Sequence, residues 1–411
     1  MKCPHCNQDH PEGTKFCPET GKRMPEKIVV VGCPKQECPN YGRNDIPAHY
    51  HFCPECGSPL NGEAPPLPSS HYDEICNFHE GLARVKRGER YGYIDLSGRE
   101  IIPCIYMGYP HDFSEGVAYV GDGVFIDKEG RTAIRVKGNY EVCGDFKESL
   151  CAVCRSSGDL YGEGDKYGFI DKSGKLVIEC EFNGVHDFSD GLAVVYDGDE
   201  YDDEEPASYS YINKNGYYVI QGDFCKVTDF YNGYAVVQEM IRYASEENDG
   251  EKRTYVIDKN GDVCYDALPI DIVSLDFNNG VFVYNEWGRR DRVVGWIDTQ
   301  RGIEKEYEQK DIGRPWGSFS IEGLMPISKG MKGYIDVHGD MPIGFKYDDA
   351  KDFSDGLAAI KLNELWGFID YCGDIVIPCQ YDEVESFREG RAVVTKNDII
   401  MVIDKEGNII V

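Results

Sequence analysis

The chain has 411 residues with 73 acidic and 43 basic side chains, a formal charge of −30. Residues 1–70 hold eight acids and seven bases, which leaves −29 on the long C-terminal part. A surface of that sign repels phosphate backbones and anionic lipid, so it argues against nucleic acid and membrane and favours a protein partner of basic character.

The start, MKCPHC, lacks the apolar stretch of a signal peptide, and no apolar run approaches the ~20 residues that span a bilayer. Seventeen cysteines, an odd number with seven in the first 56 residues, do not read as a secreted disulfide scaffold. The expectation is a cytoplasmic protein in a reducing compartment, with metal rather than disulfides at its head.

Residues 27–60 contain Cys33, Cys38, Cys53 and Cys56 as CPKQECPNYG…HFCPECGSPL. Two paired-cysteine knuckles at this separation place four thiolates around one tetrahedral, structural Zn2+ with no open position for catalysis. Residues 1–26 look like a degenerate first copy, with Cys3, Cys6 and Cys17 but Thr20 where a fourth cysteine belongs. His10 is the favoured fourth ligand there and His5 an alternative; a metal-free ribbon is equally open. Both segments resemble the short zinc ribbons at the start of many bacterial proteins, which implies a small folded adaptor. Residues 61–70, NGEAPPLPSS, read as a proline-stiffened linker.

From residue 71 to 411 one phrase recurs. Its markers are Phe78, Phe113, Phe146, Phe188, Phe230, Phe277, Phe319, Phe353 and Phe387, spaced 33 to 47 residues apart. Each copy opens with an F-x-x-G turn, in which glycine supplies a positive φ; Ser149 breaks the rule and Gly323 sits one residue late. A short alternating strand follows, such as Leu82-Ala83-Arg84-Val85. Then comes an aromatic–glycine–aromatic strand, as in Tyr91-Gly92-Tyr93-Ile94-Asp95, whose glycine suits close approach by neighbouring backbone. An Asp-x-x-Gly hairpin turn and a closing strand, often Ile-Ile-Pro-x-x-Tyr, complete the unit. Proline in that strand predicts an edge or a bulge.

The phrase closely resembles the WG-repeat family of bacterial proteins, named for the dipeptide seen here as Trp366-Gly367. Tyr91-Gly92, Tyr167-Gly168, Lys332-Gly333 and Val294-Gly295 are drifted versions. The resemblance implies a β-repeat scaffold and no known catalytic activity. The expected fold class is therefore all-β: about nine three- to four-stranded repeats preceded by small zinc ribbons. The last copy lacks its closing Tyr-Asp-x-Val-x-x-Phe segment, and Tyr72 to Phe78 supplies one at the other end. Such a split unit favours a propeller-like ring over an open solenoid.

Candidate chemistry is sparse. Cys151 and Cys154 have redox spacing but lie on a predicted strand, so they read as core residues. Cys104, Cys180 and Cys379 reuse one position in three copies and read as packing. Asp258 to Asp262 imitates the start of a calcium loop but lacks its closing glutamate. The chain is expected not to be an enzyme but a protein-interaction scaffold. Nucleic-acid binding through the ribbons and a carbohydrate-binding or hydrolytic β-repeat protein are the alternatives. Copies three to six carry extra residues between the first alternating strand and the glycine-containing strand, and insertions at one place in consecutive repeats emerge on one side. In copy four Tyr196, Asp199, Glu200, Tyr201, Asp202, Asp203, Glu204 and Glu205 form the candidate partner site.

The zinc assignment has a direct check. Elemental analysis should find about one zinc per chain, or about two if the first ribbon is metallated. Cys53→Ser should lose one of these and expose residues 30–60 to protease while the repeats stay intact. Unchanged zinc content in that variant refutes the site.

Overall fold

The computed structural model describes residues 72–411 except 159–163, 199–206, 243–250, 269–275, 279–280, 286–292, 299–300 and 316, together with 30–31 and 46–47. The chain divides into two compact units, Met1–Leu67 with Ile377–Gln380 and Pro68–Val376 with Tyr381–Val411. In the first, residues 30–31 and 46–47 pair as an antiparallel ladder, Val31 opposite Ile46. Cys3, Cys6, His10, Cys17, Cys33, Cys38, Cys53 and Cys56 lie outside the described residues.

From Tyr72 onward the described strands form eight sheets of four, three, four, seven, four, four, four and three strands in chain order. The helix among the described residues is one turn, Gln309–Ile312. The first repeat shows the plan. Its strands are Glu74–His79, Leu82–Arg87, Arg90–Asp95 and Glu100–Tyr106, each paired antiparallel with the next. Phe78 pairs with Ala83 and His79 with Leu82 around the two-residue turn Glu80-Gly81. Both turn residues have positive φ, 54° and 87°, as a type I′ turn requires. The third and fourth strands join through Asp95–Gly98, where the Asp95 carboxylate accepts from the amides of Ser97 and Arg99. Asp127, Asp171, Asn213, Asp258, Asp336, Asp370 and Asp404 repeat those two bonds.

The glycine between the aromatics answers to the fourth strand of its own repeat. A Cβ on Gly92 would lie 2.5 Å from the Ile102 carbonyl oxygen, on Gly168 2.4 Å from that of Ile178, and on Gly333 2.7 Å from that of Ile343. In each case the register slips across the glycine, so the fourth strand bulges directly over it.

Two sequence expectations need correction. The second strand was expected to alternate, yet Leu82 to Val85 and Tyr91 to Ile94 are buried on both faces. The cause is that inner strands lie between neighbouring repeats. One apolar cluster joins Phe169, Ile178 and Phe182 of the third repeat to Phe188, Ala193 and Val195 of the fourth. Alternation belongs to the outer strand, as in Leu176–Phe182. The second correction is that repeats four and five share one seven-stranded sheet, because Tyr218–Val227 runs unbroken from the end of one into the start of the next. At the corresponding positions Asp73, Asp348 and Asp382 accept the amides of Gly88, Asn363 and Asn397. Cys225 occupies that position here and offers no such acceptor.

Gly168→Ala is expected to cost about 1–3 kcal/mol through overpacking against Ile178, read as a lower urea midpoint. Gly344→Ala, whose Cβ would meet nothing within 4 Å, is the control and should leave the midpoint unchanged.

Candidate interaction surface

The repeats are joined by one set of contacts used again and again. The aromatic two residues before the hairpin Asp or Asn packs edge-on against the marker phenylalanine of the next repeat. Tyr93–Phe113, Phe125–Phe146, Phe169–Phe188, Tyr211–Phe230, Trp296–Phe319, Tyr334–Phe353 and Phe368–Phe387 have ring centroids 4.7 to 5.3 Å apart at 62° to 71°. Each such pair contributes about 0.5–1.5 kcal/mol beyond its buried area. Serines after three markers donate to the next marker's carbonyl: Ser114 to Phe146, Ser189 to Phe230 and Ser354 to Phe387. His111–Asp145 at 2.9 Å and His186–Asp229 at 2.8 Å reinforce the first two of these junctions.

The most systematic contact arises in the type I′ turns. Their first residue is acidic in most repeats and sits at positive φ, 50° for Glu115 and Glu148 and 53° for Glu389. The left-handed region costs a non-glycine residue roughly 1–2 kcal/mol, and glutamate has no local advantage there. The carboxylate explains the choice. Glu80 accepts the amide of Gly116, Glu115 that of Ser149, Glu148 that of Gly191, Asp190 that of Gly233, Glu322 that of Gly356 and Asp355 that of Gly390, at 2.5 to 2.9 Å. Lysines following the Asp or Asn of the next repeat's hairpin close on the same carboxylates. Lys128–Glu80, Lys172–Glu115, Lys214–Glu148, Lys259–Asp190 and Lys405–Asp355 are 2.7 to 3.6 Å apart. At Glu80, burial works to raise the pKa. The Gly116 amide and Lys128 outweigh it and hold the carboxyl below its usual range.

The first and ninth repeats meet through the same vocabulary. Glu389 accepts the amides of Glu80 and Gly81 at 2.8 and 2.7 Å. Phe78 packs with Val393 and Val402, the latter standing where other repeats have the aromatic. Val411 lies against Gly98, as Ile102 lies against Gly130 and Ile178 against Gly216. Arg391 donates to the Leu96 carbonyl at 2.8 Å.

The long connections share one topological place. Their flanking register pairs are Arg155↔Lys166, Asp197↔Ser208, Arg242↔Glu251 and Asn285↔Val294, between second and third strands in every case. In repeat eight the same hairpin is only Asn363-Glu364, between Leu362 and Leu365. Of the candidate partner residues, Tyr196 is described. It is half-buried, with its ring against Gly184 and 5.3 Å from that of Tyr209. Asp199, Glu200, Tyr201, Asp202, Asp203, Glu204 and Glu205 lie outside the described residues. Cys151 and Cys154 are buried on one strand. Burial raises the pKa of both thiols, that of Cys154 to about 11, and a thiol so shifted is a poor nucleophile at neutral pH. Among the described residues no group of three or more His, Cys, Asp or Glu is placed to hold a metal ion. No helix among them is long and apolar enough to cross a membrane.

The turn carboxylates were not singled out in the sequence, although the signal is there: an acid precedes the turn glycine in copy after copy. Glu115→Ala should cost about 1–2 kcal/mol, like a lost helix cap, and accelerate amide exchange at Ser149. Glu389→Ala should do the same at Glu80 and Gly81, 309 and 308 positions away in the chain. The depressed Glu80 carboxyl contributes stability above the unfolded carboxylate range and loses it as pH falls through the folded value. Exchange protection at Gly116 should therefore decline as the pH falls below the usual glutamate range.

Six segments, residues 70–91, 91–121, 167–201, 209–239, 333–366 and 366–398, match the family described as WG containing repeat. No curated protein matches the chain. Among solved structures, the crystal structure of the eukaryotic initiation factor is 15% identical over 69% of this chain and 89% of its own, with a TM-score of 0.34. Acylaminoacyl peptidase of Pyrococcus horikoshii is 11% identical over 67% of this chain, TM-score 0.37, and the match spans 52% of the peptidase, about half its length. A functionally unknown protein from Desulfotomaculum acetoxidans is 12% identical over 66% of this chain and 94% of its own, TM-score 0.32. Likenesses at that level bring nothing to this chain. What holds is that the all-β array carries WG repeats in six matched segments.

Proposed function

We propose that the protein is a non-catalytic interaction scaffold, a propeller-like ring of nine repeats whose long hairpins hold a basic protein partner and whose zinc-ribbon head is a second adaptor. The ring reading is supported by the first and ninth repeats, which use the turn-carboxylate contact that joins neighbouring repeats elsewhere. An open array would leave Glu80 and Gly81 exchange indifferent to Glu389→Ala. The head reading rests on the spacing of Cys33, Cys38, Cys53 and Cys56 around Zn2+ and on the ladder that brackets the first pair. A reducing, cytoplasmic setting is read from the cysteine pattern alone: seventeen, an odd number with seven in the first 56 residues, do not pair as a secreted disulfide scaffold.

One observation carries the partner side: four consecutive repeats lengthen the same hairpin while repeat eight keeps it at two residues. Connections stacked at one place on a rigid repeat frame make a mutable surface, and the acids of the fourth repeat's hairpin favour a basic partner. Shortening those four hairpins to the length of Asn363-Glu364 should leave the far-ultraviolet spectrum unchanged and abolish capture of the partner from source-cell extract. Full capture by the shortened protein would move the site to the head or elsewhere on the repeats.

A further inference from the structure

The outer strands of repeats three and four carry exposed apolar side chains. Tyr217 is 70% exposed, Tyr218 44%, Val219 42% and Val177 45%. They form one surface across the junction. Gly216, beside Tyr217, backs onto Ile178, next to Val177, and the Tyr218 ring is 6.1 Å from that of Phe182. Acids border it. Glu179, one residue past Ile178, has a side chain 73% exposed, with Arg155 at 3.7 Å and that guanidinium also over the Tyr140 ring. Glu181 stands on the same outward face of its strand as Val177 and Glu179, and partial burial first, then the charges of Asp197 and Glu181, raise the Tyr218 hydroxyl's pKa. Exposed tyrosines with carboxylates at their edge suit cationic side chains, whose alkyl stems lie along the rings while their heads reach the acids.

We propose that these two outer strands are a docking surface for a lysine- or arginine-rich protein segment that carries aliphatic side chains between its charges. The proposal rests on the scaffold reading and gives it an epitope. Charge complementarity selects this occupant: the repeats carry −29, the border of the patch is acidic, and its centre is apolar.

The test uses the full chain, with all four long hairpins, and fluorescein-labelled short peptides alternating lysine with valine, lysine with serine, and glutamate with valine. Anisotropy should show the lysine–valine peptide binding the wild type and losing about tenfold in affinity to Tyr217→Ser/Tyr218→Ser. Glu179→Gln/Glu181→Gln should weaken it several-fold, with a smaller dependence on salt. The glutamate–valine peptide should not bind, and the lysine–serine peptide should not distinguish the tyrosine variant from wild type. Equal affinity of wild type and tyrosine variant for the lysine–valine peptide overturns the proposal. So does a dimer of the wild type in sedimentation that the tyrosine substitutions dissolve, because the patch would then belong to a second copy. Retained lysine–valine binding by the shortened-hairpin protein, with partner capture also retained, would sink the hairpin reading and leave this one standing.

Discussion

A carboxylate reaching from the turn of one repeat to the turn amides of the next is the contact on which the array depends. It joins two demands that conflict locally. Glutamate at positive φ costs about 1–2 kcal/mol, and a charged hydrogen bond to an otherwise exposed amide returns about 1.5–3 kcal/mol. The balance favours the turn only while the neighbouring repeat is present. Each turn is therefore conditional on its neighbour, which is how a chain of small sheets, marginal alone, becomes cooperative. The lysines at Lys128, Lys172, Lys214, Lys259 and Lys405 keep those acids from repelling one another in a domain of high negative charge.

Behind the turns, the aromatic pairs do the space-filling. Because a tyrosine, phenylalanine or tryptophan of one repeat meets the marker phenylalanine of the next, both faces of the inner strands are dry. The strand glycine follows from the same geometry. The fourth strand has to bulge inward to leave its alternate side chains pointing out, and it bulges onto the glycine. In the ninth repeat the fourth strand is reduced to the Ile403–Ile409 bridge and its flanking bonds, and Met401 stands in the glycine's place, fully buried.

Much of this was legible in the amino-acid order. The markers, the Asp-x-x-Gly turns and the glycine between aromatics recur at readable intervals because each is dictated within a single repeat. What escaped was dictated between repeats. The burial of Ala83, Val85 and Ile94 on one face depends on Val393 and Val402 at the far end of the chain, and that of Leu82 and Tyr93 on the other depends on Phe113, Ala118 and Ile126 of the next repeat. The roles of Glu80 and Glu389 appear only when two turns are set side by side. The continuous strand from Tyr218 to Val227 joins two repeats, and nothing within either repeat's own phrase announces it. The ribbon cysteines and the acidic residues from Asp199 to Glu205 lie outside the described residues and remain readings of their spacing and charge.

The turn contact also has a direction. Wherever the contact is described, a repeat extends its acid toward the following unit, which offers its turn amide, and no residue in the contact depends on which position in the series it occupies. A duplicated repeat would thus arrive with both of its edges already compatible, donor edge to acceptor edge. An array built on such a contact can change its number of units by duplication or loss without inventing any new interface chemistry. The number it settles on is then a matter of how the sheets twist and wedge together, while the local chemistry stays indifferent to the count.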